Sequence, residues 1–236
     1  MKIRIKFAKE GTMKFIGHLD IMRYFQKVMR RADVDIRYSE GFSPHQIMSF
    51  AAPLGVGLES LGEYVDIEVL STDSSAEMLR RINAAMVEGM KALEYKLLPD
   101  NAANAMSVVA AADYTLQFRE GYEPEDWETF AAGLERFMAQ DQILIMKKTK
   151  KSEKEIDIRP MIYELKLDGH KICMKIATGS AANLKPDAVI RAYLESIGQT
   201  MADFALMITR TEVYANQGEE GQLNLCTLGA FGEDIE

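Results

Sequence analysis

The chain has 236 residues, 47% hydrophobic and 27% charged, the balance of a globular protein with room for one large domain or two small ones. Its formal charge of −8 argues against a uniformly basic nucleic-acid coat. Two cysteines, Cys173 and Cys226, are too few for a disulfide framework or for holding zinc or an iron–sulfur cluster alone, and no stretch approaches the roughly 20 apolar residues of a membrane-spanning helix.

"MKIRIKFAKE" at the start alternates basic and apolar residues and lacks the long apolar core of a signal peptide, so the expected location is cytoplasmic. Residues 3–9 read as a strand. Residues 17–32 read as a helix, with Leu19, Met22, Phe25, Val28 and Met29 at helical spacing and Arg23, Lys27, Arg30 and Arg31 opposite. Extended segments follow at 35–39, 46–54 and 62–70. A second helix over 71–86 carries a Met78, Leu79, Ile82, Met86 stripe, and a strand over 92–99 ends at Pro99. This β-α-β-β-α-β order is the ferredoxin-like arrangement, with both helices on one sheet face and the other face open.

Residues 100–112 are small and weakly patterned and read as a linker. The pattern then returns. A strand is expected at 114–118 and a helix at 124–140, with Pro124 near its first turn and Trp127, Phe130, Leu134, Phe137 and Met138 as its stripe. Next come a strand at 142–150, two more at 155–169 and 170–178 around an Asp168-Gly169 turn, a helix at 185–197 and a strand at 205–215. The fold class is therefore α+β: two tandem ferredoxin-like (βαββαβ) subdomains with antiparallel sheets, over 1–99 and 113–216. The second carries a basic strand–turn insertion. Residues 217–236 form an acidic, Gly-rich tail or docking segment.

The charge is uneven. Residues 1–50 hold ten Lys/Arg against five Asp/Glu, and residues 147–175 hold nine against five. Such islands make local anion-binding faces or, equally, ordinary solvated faces. No phosphate-binding glycine loop, dinucleotide fingerprint, nucleophile elbow or zinc-protease motif is present, and neither is the C-x-x-x-C-x-x-C spacing of a radical S-adenosylmethionine (SAM) enzyme. With three histidines in all, no metal site is expected.

Chemistry concentrates in "RYSEGFSPHQIMSF" (37–50). Gly41 permits a backbone that a Cβ resists, and Pro44 fixes its own φ, so the segment reads as a shaped turn presenting Tyr38, Ser39, Phe42 and His45. His18 opens the first helix, where the dipole disfavours a cation and leaves a neutral imidazole able to accept a proton. His18, Asp20, Tyr38, Ser39 and His45 could support acid–base chemistry or bind phosphate, or His18 could simply pack and His45 belong to a loop. The second candidate is the arm "KKTKKSEKEIDIR" (147–159), whose lysines and Arg159 would track phosphates without reading sequence.

The strings F-I-G-H-L-D-I-M-R (15–23), R-Y-S-E-G-F-S-P-H (37–45), S-F-A-A-P-L-G-V-G-L-E-S (49–60), E-Y-V-D-I-E (63–68) and K-E-I-D-I-R-P (154–160) resemble the radical-SAM-linked protein family, a domain of unknown function. The resemblance covers nearly the whole chain. One departure is Gln46, where that family commonly has Pro after the loop histidine. Members occur beside, or fused to, a radical SAM protein with a cobalamin-binding region, and their genes often neighbour ribonuclease and ribosomal-protein genes.

The resemblance implies an accessory protein of a radical SAM enzyme that binds RNA (tRNA or rRNA). The iron–sulfur cluster, S-adenosylmethionine and cobalamin would sit on the partner and no cofactor in this chain. His18, Tyr38, Ser39 and His45 would face the substrate, with Asp20, Gly41 and Phe42 beside them. Arg23, Arg37, Lys147, Lys148, Lys150, Lys151 and Arg159 would hold the phosphate backbone. Two alternatives stand: a metal-independent endoribonuclease using His18, His45 and Tyr38, and a protein–protein adaptor without nucleic-acid contact.

Overall fold

Alternation along β1 (Lys2–Lys9) sends Ile3, Ile5 and Phe7 into an apolar layer and turns Arg4 and Lys6 to the opposite face. The first layer is closed by α1 (His18–Arg31) and α2 (Ser75–Ala85). From α1 it receives Ile21, Phe25, Val28 and Met29, and from α2 Met78 and Ile82. Leu19, expected in the stripe, is instead exposed, because the buried arc starts at Ile21. The structure is a computed structural model and describes residues 1–148, 153–219 and 221–236.

The remaining strands of the first half are β2 (Met48–Phe50), β3 (Glu59–Glu68) and β4 (Met90–Leu98). β1 lies between β4 and β3, antiparallel to both, and β2 pairs antiparallel with β3 at Met48–Ile67 to Phe50–Val65. Residues 35–39 form no strand of their own. They make single bridges, Ile36 to Val69 and Tyr38 to Gln46, so most of the expected second strand is a hairpin-like excursion.

The second half runs through α3 (Ala105–Val108), β5 (Val109–Phe118), α4 (Trp127–Met138), β6 (Leu144–Lys148), β7 (Glu153–Asp157), β8 (Ile162–Asp168), β9 (Lys171–Ala177), α5 (Pro186–Ser196) and β10 (Leu206–Asn216). The order β10-β5-β9-β8 is antiparallel throughout, and α4 and α5 cover it with Phe130, Leu134, Phe137, Val189, Ile190 and Tyr193. Asp126, not Pro124, starts α4: its carboxylate accepts from the backbone of Glu128 and Thr129. The strand expected over 155–169 breaks at a 3-10 turn, Arg159–Met161, where Pro160 offers no N–H to a ladder. Among the described residues β6 and β7 form a separate two-stranded sheet.

The stretch 100–112, read as a linker, holds α3 and the first residues of β5, and Ala105 is fully buried. The two halves share one mostly antiparallel nine-stranded sheet in a mixed α+β fold. Its continuity rests on a short parallel contact, Thr209–Glu59 and Arg210–Ser60, between β10 and β3. Small side chains allow it. A Cβ on Gly62 would lie 2.5 Å from the Thr211 carbonyl oxygen and 2.8 Å from the Glu212 Cα. The Ser60 hydroxyl donates to the Arg210 carbonyl (2.9 Å) and accepts from Gly62 N–H (3.1 Å). Across the same seam Arg210, 2% exposed, donates from Nε and Nη2 to both carboxylate oxygens of Glu63, 6% exposed, at 2.7 and 2.5 Å.

The terminal segment crosses the face opposite α1 and α2 and ends at the start of α2. β11 (Leu225–Thr227) pairs with β10, and a 3-10 turn over Leu228–Phe231 follows. Arg4 holds Asp66 through two bonds (2.7 and 2.8 Å) and donates to the Leu228 carbonyl (3.1 Å). Further on, Glu233 and Leu97 exchange backbone bonds and Ile235 N–H donates to the Ser75 hydroxyl. The sheet face expected to be open is therefore covered in the first half by the terminal segment.

The seam yields a stability test. Glu63→Gln leaves a buried guanidinium without its counter-charge and is expected to cost about 3–5 kcal/mol of unfolding free energy. The Glu63→Met, Arg210→Met double variant removes both charges and is expected to recover a large part of that loss. Denaturant titration of the two variants checks this; equal losses would show that the charge pairing is not what matters there.

Candidate functional site

The halves meet above the seam in a cleft of about 1010 Å³. One wall is the loop after β2, Ala51 to Leu58, whose Pro and glycines keep it off any ladder. The other is built from residues 178–187, which connect β9 to α5, and from 201–206, which lead into β10. Arg119, Lys185, Arg191 and Arg210 line the cleft together with Asp187 and Asp203. Two aromatic side chains stand at it largely in solvent, Phe15 at 64% and Phe204 at 89% exposure.

Phe204 is held in that position at a cost. Its φ of +61° is in the left-handed region, which a bulky side chain rarely adopts and which costs on the order of 1–3 kcal/mol. Arg119 fixes it: Nε donates to the Phe204 carbonyl (2.9 Å), and the Arg119 backbone N–H donates to the Ala205 carbonyl (2.8 Å). Arg191 donates to the Met201 carbonyl (3.1 Å) and lies 3.6 Å from Asp203.

A smaller cavity adjoins through Ala52, Pro53 and Leu54 and is lined by Lys9, His18 and Glu63. Lys9 is buried and donates to the carbonyls of Ile16 (2.9 Å) and Lys14 (3.4 Å). Burial pushes its ammonium down from the usual lysine range, opposed by Glu63 and reinforced by Arg210. His18 meets Phe50 edge-on at 5.5 Å. Its imidazole is also held below 6.5, first by burial, with Glu63 pulling the other way. It is the first residue of α1, as the sequence predicts, but desolvation leads the shift.

The 38–46 turn is separate. Ser39 Oγ and His45 Nδ1 are 2.9 Å apart, and His45 N–H donates to the same hydroxyl (3.1 Å). Gln46, buried, donates to the Tyr38 hydroxyl (3.4 Å) and the Gln26 carbonyl (3.3 Å). Its Oε1 has no partner among the described residues. Gly41 sits at φ +107°, and Phe42 is fully exposed. None of Tyr38, Ser39, Phe42 and His45 lines either cavity, and no hydrogen bond or ring contact among the described residues joins them to His18.

The other expected site residues disperse. Asp20 and Arg23 form an exposed pair (3.1 Å), and Arg37 reaches Glu68 (3.3 Å). Arg159 is engaged inside the second half, donating to the carbonyls of Met138 (3.0 Å) and Ile162 (3.2 Å), which keeps its guanidinium from tracking a phosphate chain. Lys147 and Lys148 lie in the β6–β7 ladder opposite Lys154 and Glu153; Lys150 and Lys151 lie outside the described residues. Sequence reading missed Lys9, Glu63, Arg119, Thr178, Lys185, Arg191, Phe204 and Arg210. Only "TGSAANLKPD" (178–187), a small-residue run into a Pro-started helix, carried a local signal. No group of three or more His, Cys, Asp or Glu side chains among the described residues is placed to hold a metal ion.

A family model described as "Uncharacterized protein conserved in bacteria (DUF2344)" matches residues 2–186. No curated protein matches the chain. Among solved structures, a chain of the "Crystal Structure of a Cbf5-Nop10-Gar1 Complex" is similar at 9% identity and a TM-score of 0.46. The match covers 89% of this chain and 48% of that one, so this chain spans about half of its length.

His18 supplies a pH test. Because its folded value lies below 6.5, the unfolded chain takes up a proton there that the folded chain refuses. Its contribution is intact above about pH 6.5 and is lost as the pH falls below that value. His18→Gln is therefore expected to flatten the fall in stability between about pH 6.5 and 5. Denaturant melts across that range check it; parallel curves for wild type and variant would remove His18 as the responsible group.

Proposed function

The chain belongs to this uncharacterized family conserved in bacteria, and we propose that within it the protein is an RNA-binding accessory factor that seats an exposed nucleotide in the cleft between its halves. The carrying observation is the composition of that cleft. About 1010 Å³ is room for a ligand of nucleotide size. Phe204 and Phe15 offer ring faces to an unstacked base, and Arg119, Lys185 and Arg191 offer cations to its phosphates. A chain of net charge −8 that collects these cations in one concavity concentrates its attraction for a polyanion there.

In this reading each half is a ferredoxin-like unit. The strand orders β4-β1-β3-β2 and β10-β5-β9-β8 support that reading, each with two helices on one face. The β6–β7 hairpin is then the insertion, and Lys147, Lys148, Lys150 and Lys151 add sequence-independent phosphate contacts. The radical SAM partner, carrying the iron–sulfur cluster, S-adenosylmethionine and cobalamin, rests on the H-L-D and Y-S-E-G-F-S-P-H blocks, whose exposed Phe42 turn would face it. A cytoplasmic setting is in keeping with two free cysteines. No helix among the described residues is long and apolar enough to cross a membrane.

The endoribonuclease alternative is favoured by one contact, the Ser39–His45 hydrogen bond. Anisotropy titrations with short single-stranded oligoribonucleotides over a range of salt test the main reading. Arg119→Ala with Arg191→Ala should lower the salt slope by about 0.7 for each phosphate that is no longer neutralised. Phe204→Ala should cost about 1–3 kcal/mol of affinity through the missing stacking partner. Wild-type protein that binds no RNA would move the assignment to the adaptor, and metal-independent cleavage abolished in His45→Ala would move it to the nuclease.

A further inference from the structure

One polar group at the cleft has no explanation in the fold. Thr178 follows β9, is 4% exposed and lines the cleft, yet its hydroxyl has no hydrogen-bond partner among the described residues. A buried hydroxyl left unpaired typically costs about 1–3 kcal/mol, which a valine of the same shape would avoid. An unpaired hydroxyl at the cleft therefore points to a partner that comes from outside the chain.

Its surroundings say what that partner is. Gly179 follows at φ +139°, and a Cβ there would collide with the Val109 carbonyl oxygen, so the backbone is pinned against β5. The chain then runs through Ser180 and Asn183 to Lys185, the cap of the eleven-residue helix α5. No side chain caps that helix, and Pro186 at its start leaves the positive end of the dipole facing the loop. The side chains of Ser180, Asn183 and Lys185 make no hydrogen bond or ion pair among the described residues. Arg119 and Lys185 have no carboxylate partner among the described residues; of the two acids at the cleft, Asp203 is paired with Arg191 at 3.6 Å, and Asp187 occupies the first turn of α5.

We infer that the end of the cleft where Thr178 to Ser180 meets the N-terminus of α5 is a phosphate subsite, in which Thr178 and Lys185 hold the phosphate of the bound nucleotide. This rests on the reading of the cleft as a nucleotide seat and assigns its two ends: phosphate against α5, base toward Phe204. The hydroxyl of Thr178 and the ammonium of Lys185, at the two ends of the β9–α5 connection, are donors for one anion at the positive end of α5, and a hydroxyl rotates to suit the acceptor that arrives.

Calorimetric titration of the full chain with inorganic phosphate, AMP and adenosine tests the subsite. Phosphate and AMP should bind, with AMP on the order of tenfold tighter than adenosine. Thr178→Val and Lys185→Ala should each weaken phosphate and AMP several-fold while leaving adenosine unchanged. Lys185 is exposed, so its variant keeps the test valid if the buried Thr178 variant fails to fold. AMP and adenosine binding alike, or phosphate binding unaltered in both variants, overturns the subsite. Oligoribonucleotides with and without a 5′-phosphate separate a terminal monoester from an internal diester as the source. RNA that binds wild type and both variants equally would remove the subsite and keep the RNA reading. Phosphate binding that the variants weaken, with no RNA binding, would keep the subsite and remove the RNA reading.

Discussion

The ion pair between Glu63 and Arg210 is what the two halves have in common, and the site lies around it. Taking both charges out of water is expensive, and two-point hydrogen bonding is the geometry that offsets such a cost best. Arg210 also donates to the Ala52 carbonyl (2.6 Å), which ties the first wall of the cleft to β10. Glu63 faces Lys9 and His18 on its other side. One carboxylate thus fixes the seam, helps to set the protonation of the small cavity and anchors the arginine at the floor of the large one. The parallel register between β3 and β10 is only two residue pairs long, too little to hold the sheet by backbone bonds alone.

The opposite face answers a second demand. Arg4, Lys6, Tyr64 and Asp66 project from the central strands, and polar side chains in such a layer need partners. Lys6 and Tyr64 both reach Glu212 on β10, at 2.6 and 2.7 Å, so the seam is bridged on this face as well. Burial and the Glu212 carboxylate push the Tyr64 phenol well above its ordinary range, which keeps it a donor at any physiological pH. The terminal segment closes the layer because its backbone satisfies Arg4, because its end is tied to Ser75 at the start of α2, and because Leu228 gives it one fully buried apolar anchor. Its acidic, glycine-rich composition reads as a tail; its scattered apolar residues, Leu223, Leu225, Leu228, Phe231 and Ile235, sustain neither helical nor strand spacing and so announce no docking.

How much was legible follows from the range of each interaction. Period-two alternation in 62–70 and helical spacing in 17–32 are local, and the elements they announce are present, with Leu19 turned outward. Residues 35–39 contain strand-forming types, but their pairing depends on where the chain returns, and it returns after a turn pinned by Ser39 and His45. The linker reading of 100–112 failed for a similar reason. Alanines carry no pattern of their own, yet Ala111 and Ala112 are fully buried because β10 and β9 flank β5. The place of His18 at a helix start is legible, but its burial is not, and its grouping with His45 assumes that two nearby motifs share a pocket, whereas the Ser39–His45 turn does not line the cavity His18 occupies.

The cleft was invisible for a deeper reason. Its cations come from Arg119, Lys185, Arg191 and Arg210, each in a different segment and none in a charge run. The basic residues of the first charge island scatter: Arg23 and Arg37 stand exposed beside carboxylates, whereas Arg4 and Lys9 are buried. A site needs a concavity as well as charge, because low-dielectric walls strengthen each contact that an open face would leave to solvent. Here the concavity lies where the two halves join through one parallel contact. The residues that define it must then satisfy that join first: Gly62 by being small, and Glu63 and Arg210 by pairing. The strain at Phe204 has no return inside the fold, since the ring it holds out makes almost no contact with the protein. Under the proposed reading, a base stacked on that ring is what would offset the strain.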